Sequence, residues 1–302
     1  MSDDIAFDRT RDAAAGAVVE IAPLVRRVIA PNASPFTFTG TATYLVGRKK
    51  IAVIDAGPDD AGHRAAILRA VGSETITHIV STHTHLDHTG GAAGLAQAVG
   101  APLVGCSAHR VFRAPLEGEG DPLEAGADGR YRPDQAMAEG DAISGFGWTL
   151  VAVDTPGHTA NHLAFALPET GALFSGDHVM SWSTTVVAPP DGAMAPYVAS
   201  LRKLIARDEE VYFPGHGPML TNARQFSRHL LGHRLMREQA IRGRLALGPR
   251  TIPELVAELY RGLDPRLSRA AGLSVFAHLE DLVARGEAMT DGAARIGGVY
   301  RA

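Results

Sequence analysis

Ser81-Thr82-His83-Thr84-His85-Leu86-Asp87-His88-Thr89-Gly90-Gly91 sets three histidines and an aspartate within six positions. The β-branched, apolar run Thr77-His78-Ile79-Val80 in front of it predicts a buried strand, and the small residues from Ala92 to Val99 behind it predict a helix. The stretch is therefore a loop held at both ends by regular structure. His83 and His85, two apart on an extended backbone, point to the same side. Asp87 and His88 follow on the turn, so one loop can aim two imidazoles at one metal ion and an Asp–His pair at a second. Such ligands suit Zn²⁺, and also Fe or Mn.

Four ligands do not complete two sites, and three further points in the chain match. The alternating run 149–154 ends in Thr155-Pro156-Gly157-His158, the run 172–176 ends in Asp177, and Val211-Tyr212-Phe213 ends in Pro214-Gly215-His216. Each is the end of a predicted strand, and in each a glycine stands directly before the ligand-type residue, which lets the backbone turn sharply.

His83-Thr84-His85-Leu86-Asp87-His88 with His158, Asp177 and His216 resembles the full motif set of the metallo-β-lactamase superfamily, and Asp55 in Ile51-Ala52-Val53-Ile54-Asp55-Ala56-Gly57 resembles its first motif. The resemblance implies that His83, His85 and His158 hold one metal and Asp87, His88 and His216 the other, with Asp177 bridging. Asp55 would orient a ligand from behind; as an alternative it is an ordinary strand-end turn former. Pro31-Asn32-Ala33-Ser34-Pro35-Phe36-Thr37, Gly40-Thr41-Ala42-Thr43-Tyr44-Leu45-Val46-Gly47 and Ser175-Gly176-Asp177-His178-Val179 resemble the β-lactamase-like protein 2 group more narrowly. The departures at Ala33 (usually Pro) and Ala42 (usually Asn) touch no ligand. The implied fold is an α/β, αββα metallo-β-lactamase-type sandwich followed by a small C-terminal winged-helix domain.

Composition is that of an ordinary globular protein: 302 residues, 45% hydrophobic, 21% charged, formal net charge -4. The single cysteine, Cys106, excludes an internal disulfide and reads as a buried strand-end residue. Residues 1–16 carry four aspartates and no apolar core, so neither a signal peptide nor a transit peptide is predicted. A cytoplasmic protein with a flexible N-terminus and no membrane span is expected; the sequence fixes no oligomeric state.

Strands are predicted at 18–21, 25–29, 36–46, 50–55, 102–105, 148–154, 163–167 and 173–175, with a helix over 59–71. Strand and helix patterns come twice, and ligands come from both halves, as in two sheets with helices outside and ligands along one edge. Residues 114–141, acidic and rich in Gly and Pro, predict a long surface excursion beside the site. Residues 178–196 read as a loop whose Trp182 either walls a substrate pocket or packs internally. The expected division is a catalytic domain over 17–220, a connecting helix over 221–247 and a winged helix over 248–302.

The connecting helix carries Arg224, Arg228, Arg234, Arg237, Arg242 and Arg244 against one acid, Glu238. Residues 221–302 hold 13 arginines, no lysine and 8 acidic residues, a net of +5 in an acidic protein. Arg224, Arg228 and Arg242 share a helical face, either as a substrate-binding surface for an anion or as a solvated one; Arg237 and Arg244 lie nearly opposite. Sequence-specific DNA binding is not expected, because the second helix of the tail is mostly Ala, Leu and Val.

Function follows from the ligand set. Two zinc ions (Mn²⁺ or Fe as alternatives), ~3.5–4 Å apart, would share a bridging hydroxide that attacks a carbonyl carbon or a phosphorus, with Asp87 and Asp177 acting through it. The resemblance covers single-strand RNA endonucleases and carrier-protein thioesterases, so single-stranded RNA and a small thioester or ester are the expected substrates. A mononuclear iron persulfide dioxygenase of the same superfamily is the redox alternative.

Overall fold

The computed structural model describes residues 5–11, 13–116, 119 and 126–302. Two sheets form its body. The first runs in sequence order through β1 (Val18–Ala22), β2 (Val25–Ile29), β3 (Ala42–Val46), β4 (Lys50–Ile54), β5 (Thr75–Ser81), β6 (Leu103–Gly105) and β7 (Gln135–Ala136). Its first four strands are antiparallel, and β4 to β7 are parallel. The second is ordered β12 (Val211–Pro214), β11 (Ala172–Gly176), β10 (Leu163–Leu167), β9 (Trp148–Asp154), β8 (Ala142–Gly145), with only the β11–β12 pair parallel.

Tyr44 and Ile54 of the first sheet and Phe165, Phe174 and Phe213 of the second belong to one core cluster. The Tyr44 ring meets Phe174 edge-on at 5.2 Å, and its hydroxyl donates to Pro214 O at 2.6 Å, so the buried ring keeps a partner for its polar tip. Burial of each such ring favours the sandwich by about 1.5–3 kcal/mol. Helices α1 (Ala61–Val71) and α3 (Ala92–Val99) pack on the first sheet, the short α2 (Leu86–Thr89) lying between them in sequence. Helices α4 (Met194–Ile205) and α5 (Ala223–Leu245) cover the second sheet through Tyr197, Leu201, Leu204, Ala223 and Phe226. The architecture is a mixed α/β metallo-β-lactamase-type sandwich with a C-terminal winged helix.

The winged helix comprises α6 (Ile252–Leu259), α7 (Ser268–Ala284) and a three-stranded sheet of β13 (Arg250–Thr251), β15 (Val299–Arg301) and β14 (Met289–Thr290). Thr251 starts α6 with a capping box: its hydroxyl accepts from Glu254 N, and the Glu254 carboxylate accepts from Thr251 N. The module has its own apolar cluster, from Ile241 and Leu245 of α5 to Leu279 and Tyr300. Ala277 of α7 nevertheless lies in the cluster beneath α4 and α5, which joins the module to the sandwich.

Four expectations change. The strand expected over 36–46 begins only at Ala42, because the Asn32 side chain ties both the N–H and the hydroxyl of Thr41, and Phe38 adopts a positive φ of 56°. The loop expected over 178–196 gives way to α4 at Met194, and β8 went unanticipated. The described part of the N-terminal segment is not free of the body: Ile5 and Phe7 pack on the α4–α5 cluster, Phe7 edge-on to Phe226. Residues 1–4 and 12 lie outside the described residues, as do 117–118 and 120–125 of the expected surface excursion. Its remainder is partly internal, with Asp128, Tyr131 and Met137 buried.

Candidate metal centre

All the sequence-selected ligands stand just beyond the C-terminal ends of strands. His83, His85, Asp87 and His88 follow β5 of the first sheet; His158, Asp177 and His216 follow β9, β11 and β12 of the second. The edges of the two sheets meet there, where Thr41 bridges His216 and Ala42 N donates to Gly215 O at 2.8 Å. The glycines before the ligands have steric reasons. A Cβ on Gly215 would stand 2.3 Å from Asp177 Oδ1 and 2.8 Å from His88 Cε1, and Gly157, at φ +145°, backs onto Tyr197 Cα at 2.3 Å from its would-be Cβ.

Three groups of side chains bring their ligand atoms within 4.8 Å of one another: His83, His85 and His158; His83, His88 and Asp177; Asp87, His88 and His216. Asp177 stands between the outer two, with Oδ2 3.7 Å from His158 Nε2 and 3.3 Å from His216 Nε2, and Oδ1 3.5 Å from His88 Nε2.

The outer nitrogen of each imidazole faces an oxygen. His88 Nδ1 lies 2.8 Å from Asp55 Oδ2, His85 Nε2 3.1 Å from Asp191 Oδ2, His158 Nδ1 2.8 Å from Val186 O, and His216 Nδ1 3.4 Å from Gly40 O. These oxygens only accept, so those nitrogens carry the protons. His83 Nδ1 meets Thr82 Oγ1 at 3.0 Å, and that hydroxyl already donates to Asp55 Oδ2, so it too accepts. The inner nitrogens of neutral rings are then lone pairs, and they face one another. His83 Nε2 and His158 Nε2 are each 3.1 Å from His85 Nδ1, and His88 Nε2 is 3.3 Å from His216 Nε2. Buried Oδ1 atoms of Asp87 and Asp177 have no hydrogen-bond partner among the described residues. Lone pairs and carboxylate oxygens that converge in this way are what a divalent metal ion takes as ligands, so the donor set fits one.

Electrostatics divide the centre. Burial, reinforced by the charge on His88 and His85, holds His83 well below the ordinary imidazole value; burial and His85 bring His158 down to about 4. Burial opposes charge on His88 too, but Asp87, Asp177 and Asp55 outweigh it and raise it well above that value. His216 is pushed up to about 9 against burial by Asp177 and then Asp87. His85 is raised against burial by Asp191. Both carboxylates are lowered against burial, Asp87 chiefly by His88 and Asp177 chiefly by His216. Burial dominates at His83 and His158, whereas His85, His88 and His216 each answer a carboxylate.

Asp55 does more than end a strand. It adopts φ 53°, a region aspartate tolerates, and its carboxylate accepts from Thr82 N and Thr82 Oγ1, both at 2.8 Å, as well as from His88. The sequence reading missed Asp191, which holds His85; Thr41, whose hydroxyl donates to Asp87 Oδ2 at 3.1 Å; and His162, whose Nε2 receives Asp177 N–H at 3.1 Å. Asp191-Gly192 looks like a turn pair and carries no ligand spacing, so only its place in the fold reveals it.

A cavity of about 50 Å³ opens at the centre, lined by Phe36, Thr37, Met180 and Val186 beside His85, Asp87, His158, Asp177 and His216. Trp182 is not part of this lining. It stacks on Phe38 at 5.1 Å and leans on Gly217. Arg224, Arg228 and Arg242 are not brought to the cavity either. Arg224 pairs with Glu210 and Arg242 with Glu287, while Arg228 is exposed.

Sandwiched sheets with histidines and aspartates gathered on one edge define a metallo-hydrolase fold. The chain belongs to the metallo-β-lactamase superfamily, whose sequence model matches residues 36–216, and the β-lactamase associated winged helix domain matches residues 251–295. An atrochrysone carboxyl ACP thioesterase of Aspergillus fumigatus is 33% identical over 227 residues, which are 73% of this chain and 64% of that relative. A β-lactamase-like protein 2 homolog of Caenorhabditis elegans is 30% identical over 229 residues, 74% of this chain and 72% of the relative. In fold, the chain is similar to the crystal structure of a β-lactamase domain protein from Burkholderia ambifaria, with a TM-score of 0.79 at 21% identity over 98% of this chain and 96% of that one. No helix among the described residues is long and apolar enough to cross a membrane.

Proposed function

We propose that the chain is a dinuclear divalent-metal hydrolase, with zinc as its ion, acting on thioesters or esters of small organic acids. His83, His85 and His158 would hold one ion and Asp87, His88 and His216 the other, with Asp177 shared. Such a pair, when bound, makes water nucleophilic near neutral pH and neutralises charge developing on a carbonyl oxygen. The protein's own part is orientation. Asp55, Asp191 and Val186 O hold the outer nitrogens of His88, His85 and His158, so that their lone pairs stay aimed inward. Phe36, Met180 and Val186 shield the reacting group from bulk water.

The observation that carries the choice of substrate is the cavity lining, which contains apolar side chains and, among the described residues, no lysine or arginine. Two curated relatives with thioesterase names, from Aspergillus fumigatus and Emericella nidulans, support the same reading. RNA, the other substrate the resemblance implies, calls for cations along a groove. On α5 most of those cations are already engaged by neighbouring residues. The winged helix is read as a packing module: α7 is buried over Val275–Leu279, which leaves little of it to enter a DNA groove. The second ligand triad favours two ions over the single iron of a dioxygenase.

Metal analysis of protein purified without added metal, paired with hydrolysis of a short acyl thioester, tests the proposal. Two zinc or manganese ions per chain with thioester turnover is the expected result. One iron with oxygen uptake on a persulfide overturns the chemistry. Salt-sensitive cleavage of single-stranded RNA without thioester turnover overturns the substrate.

A further inference from the structure

We infer that Arg234 is a positioning residue for the metal centre: from the helix joining sandwich to winged helix, it fixes the Asp177–His178 backbone through Thr185 and Tyr197. The inference rests on the metal reading of the site.

Arg234 differs from the other arginines of α5. It is 2% exposed, and among the described residues no carboxylate lies within ion-pair distance of it. A buried guanidinium without a counter-charge is costly, so it persists only where other bonds hold it. Its Nη2 donates to Thr185 O, and its Cζ lies over the Tyr197 ring, 5.1 Å from the centroid. Both partners lead to the site. Thr185 Oγ1 stands 2.7 Å from Asp177 O and 3.1 Å from His178 O, one hydroxyl proton shared between two carbonyls. Tyr197 OH donates to His178 O at 3.0 Å.

The guanidinium therefore reaches both of those carbonyls, by a hydroxyl on one side and a ring on the other. On the remaining side, the Asp177 N–H is taken by His162 Nε2, and His162 Nδ1 is fixed by Thr155 Oγ1 at 2.8 Å. The backbone of Asp177 is tied at N–H and C=O, while its Oδ1 has no partner among the described residues. That division suits a carboxylate placed for an ion, since a metal site tolerates only about 0.5 Å of misplacement of its ligands. The His178 side chain adds no polar link: both its ring nitrogens lack partners among the described residues, and the ring packs on Tyr197 at 4.5 Å. A merely structural Arg234 would hold α5 against α4, and its loss would lower stability without changing how the centre binds metal.

Full-length Arg234→Met, Arg234→Lys and Thr185→Val separate the two roles. Zinc affinity is measured by competition with a chromogenic chelator, coordination by the visible spectrum of the Co²⁺-loaded protein, and stability by melting of the metal-free chain. Arg234→Met and Thr185→Val are expected to weaken zinc binding roughly 10–100-fold and to alter the Co²⁺ spectrum. Arg234→Lys, which restores one donor without the flat stacking face, should recover part of the loss. If Arg234→Met does not fold, Thr185→Val, which changes no charge, decides alone. Variants that bind zinc within twofold of wild type with an unchanged Co²⁺ spectrum overturn the inference, even if they melt earlier. A wild-type chain that takes up neither ion overturns the metal reading and this inference together.

Discussion

The metal-centre edge and helix α5 both look like binding surfaces in the sequence, since each concentrates chargeable side chains. The fold treats them oppositely. At the edge, imidazole lone pairs face one another at 3.1–3.3 Å, and two buried carboxylate oxygens have no hydrogen-bond partner among the described residues. On α5, Arg224, Arg242 and Arg244 meet Glu210, Glu287 and Glu258, while Arg237 lies over Tyr260 and donates to Leu259 O. Charge density marks a ligand site only where tertiary structure leaves the charges unanswered. Exposed ion pairs of the second kind contribute about 0–1 kcal/mol each and shape a surface more than they bind a ligand.

The sharpest way to break the comparison is Asp177→Ala. It should remove at least one ion and lower thioester hydrolysis by about three orders of magnitude, since the ions supply several kcal/mol of transition-state stabilisation. Circular dichroism should stay unchanged. A variant retaining both ions and full rate would falsify the shared-ligand assignment. Asp87→Ala should lose chiefly the second ion, leaving His83, His85 and His158 loaded, as metal analysis would show.

Next in size comes Gly215→Ala, whose methyl would collide with Asp177 Oδ1 and His88 Cε1. Zinc affinity should fall roughly 10–100-fold, the range seen when a ligand's support is disturbed. Asp55→Ala should act in the same range by freeing His88 and Thr82. Titration with a competing chelator reads both; unchanged affinity in either would mean that the supporting contacts are incidental.

His78→Ala is the control on the same strand. His78 packs edge-on to Trp148 at 6.0 Å, away from the centre, and its half-buried ring is held below its usual basicity by burial. The variant should lose about 1 kcal/mol of stability in denaturant titration and keep its metal. Loss of an ion would show that the ligand set is wrong. Smallest of all is Arg224/Arg228/Arg242→Ala, expected to leave thioester turnover within about twofold, because these residues do not reach the cavity. A tenfold rise in KM for single-stranded RNA would instead restore α5 as a binding surface.

The seven ligand-type residues were legible because chemistry and chain geometry agree locally. A strand end, a glycine and a ligand-type side chain recur three times, and the first loop carries four more ligand-type residues. The start of α6 is encoded just as locally, since its capping pair, Thr251 and Glu254, spans four residues. Where side-chain bonds compete with a ladder, the reading failed: 36–41 looked like strand until Asn32 claimed Thr41.

By itself, then, the sequence determined the strand-end placement of the histidines and aspartates, the two-sheet class and the helix–hairpin tail, since each is encoded by residues a few positions apart. Only the tertiary structure decided which charges stay unanswered. His85 finds Asp191 across 106 positions, and Arg234 finds Thr185 across 49. Whether Arg224 points to a ligand or to Glu210 depends on where a strand end comes to lie beside α5. Such pairings depend on how distant elements pack, and no local pattern of residue types encodes that distance.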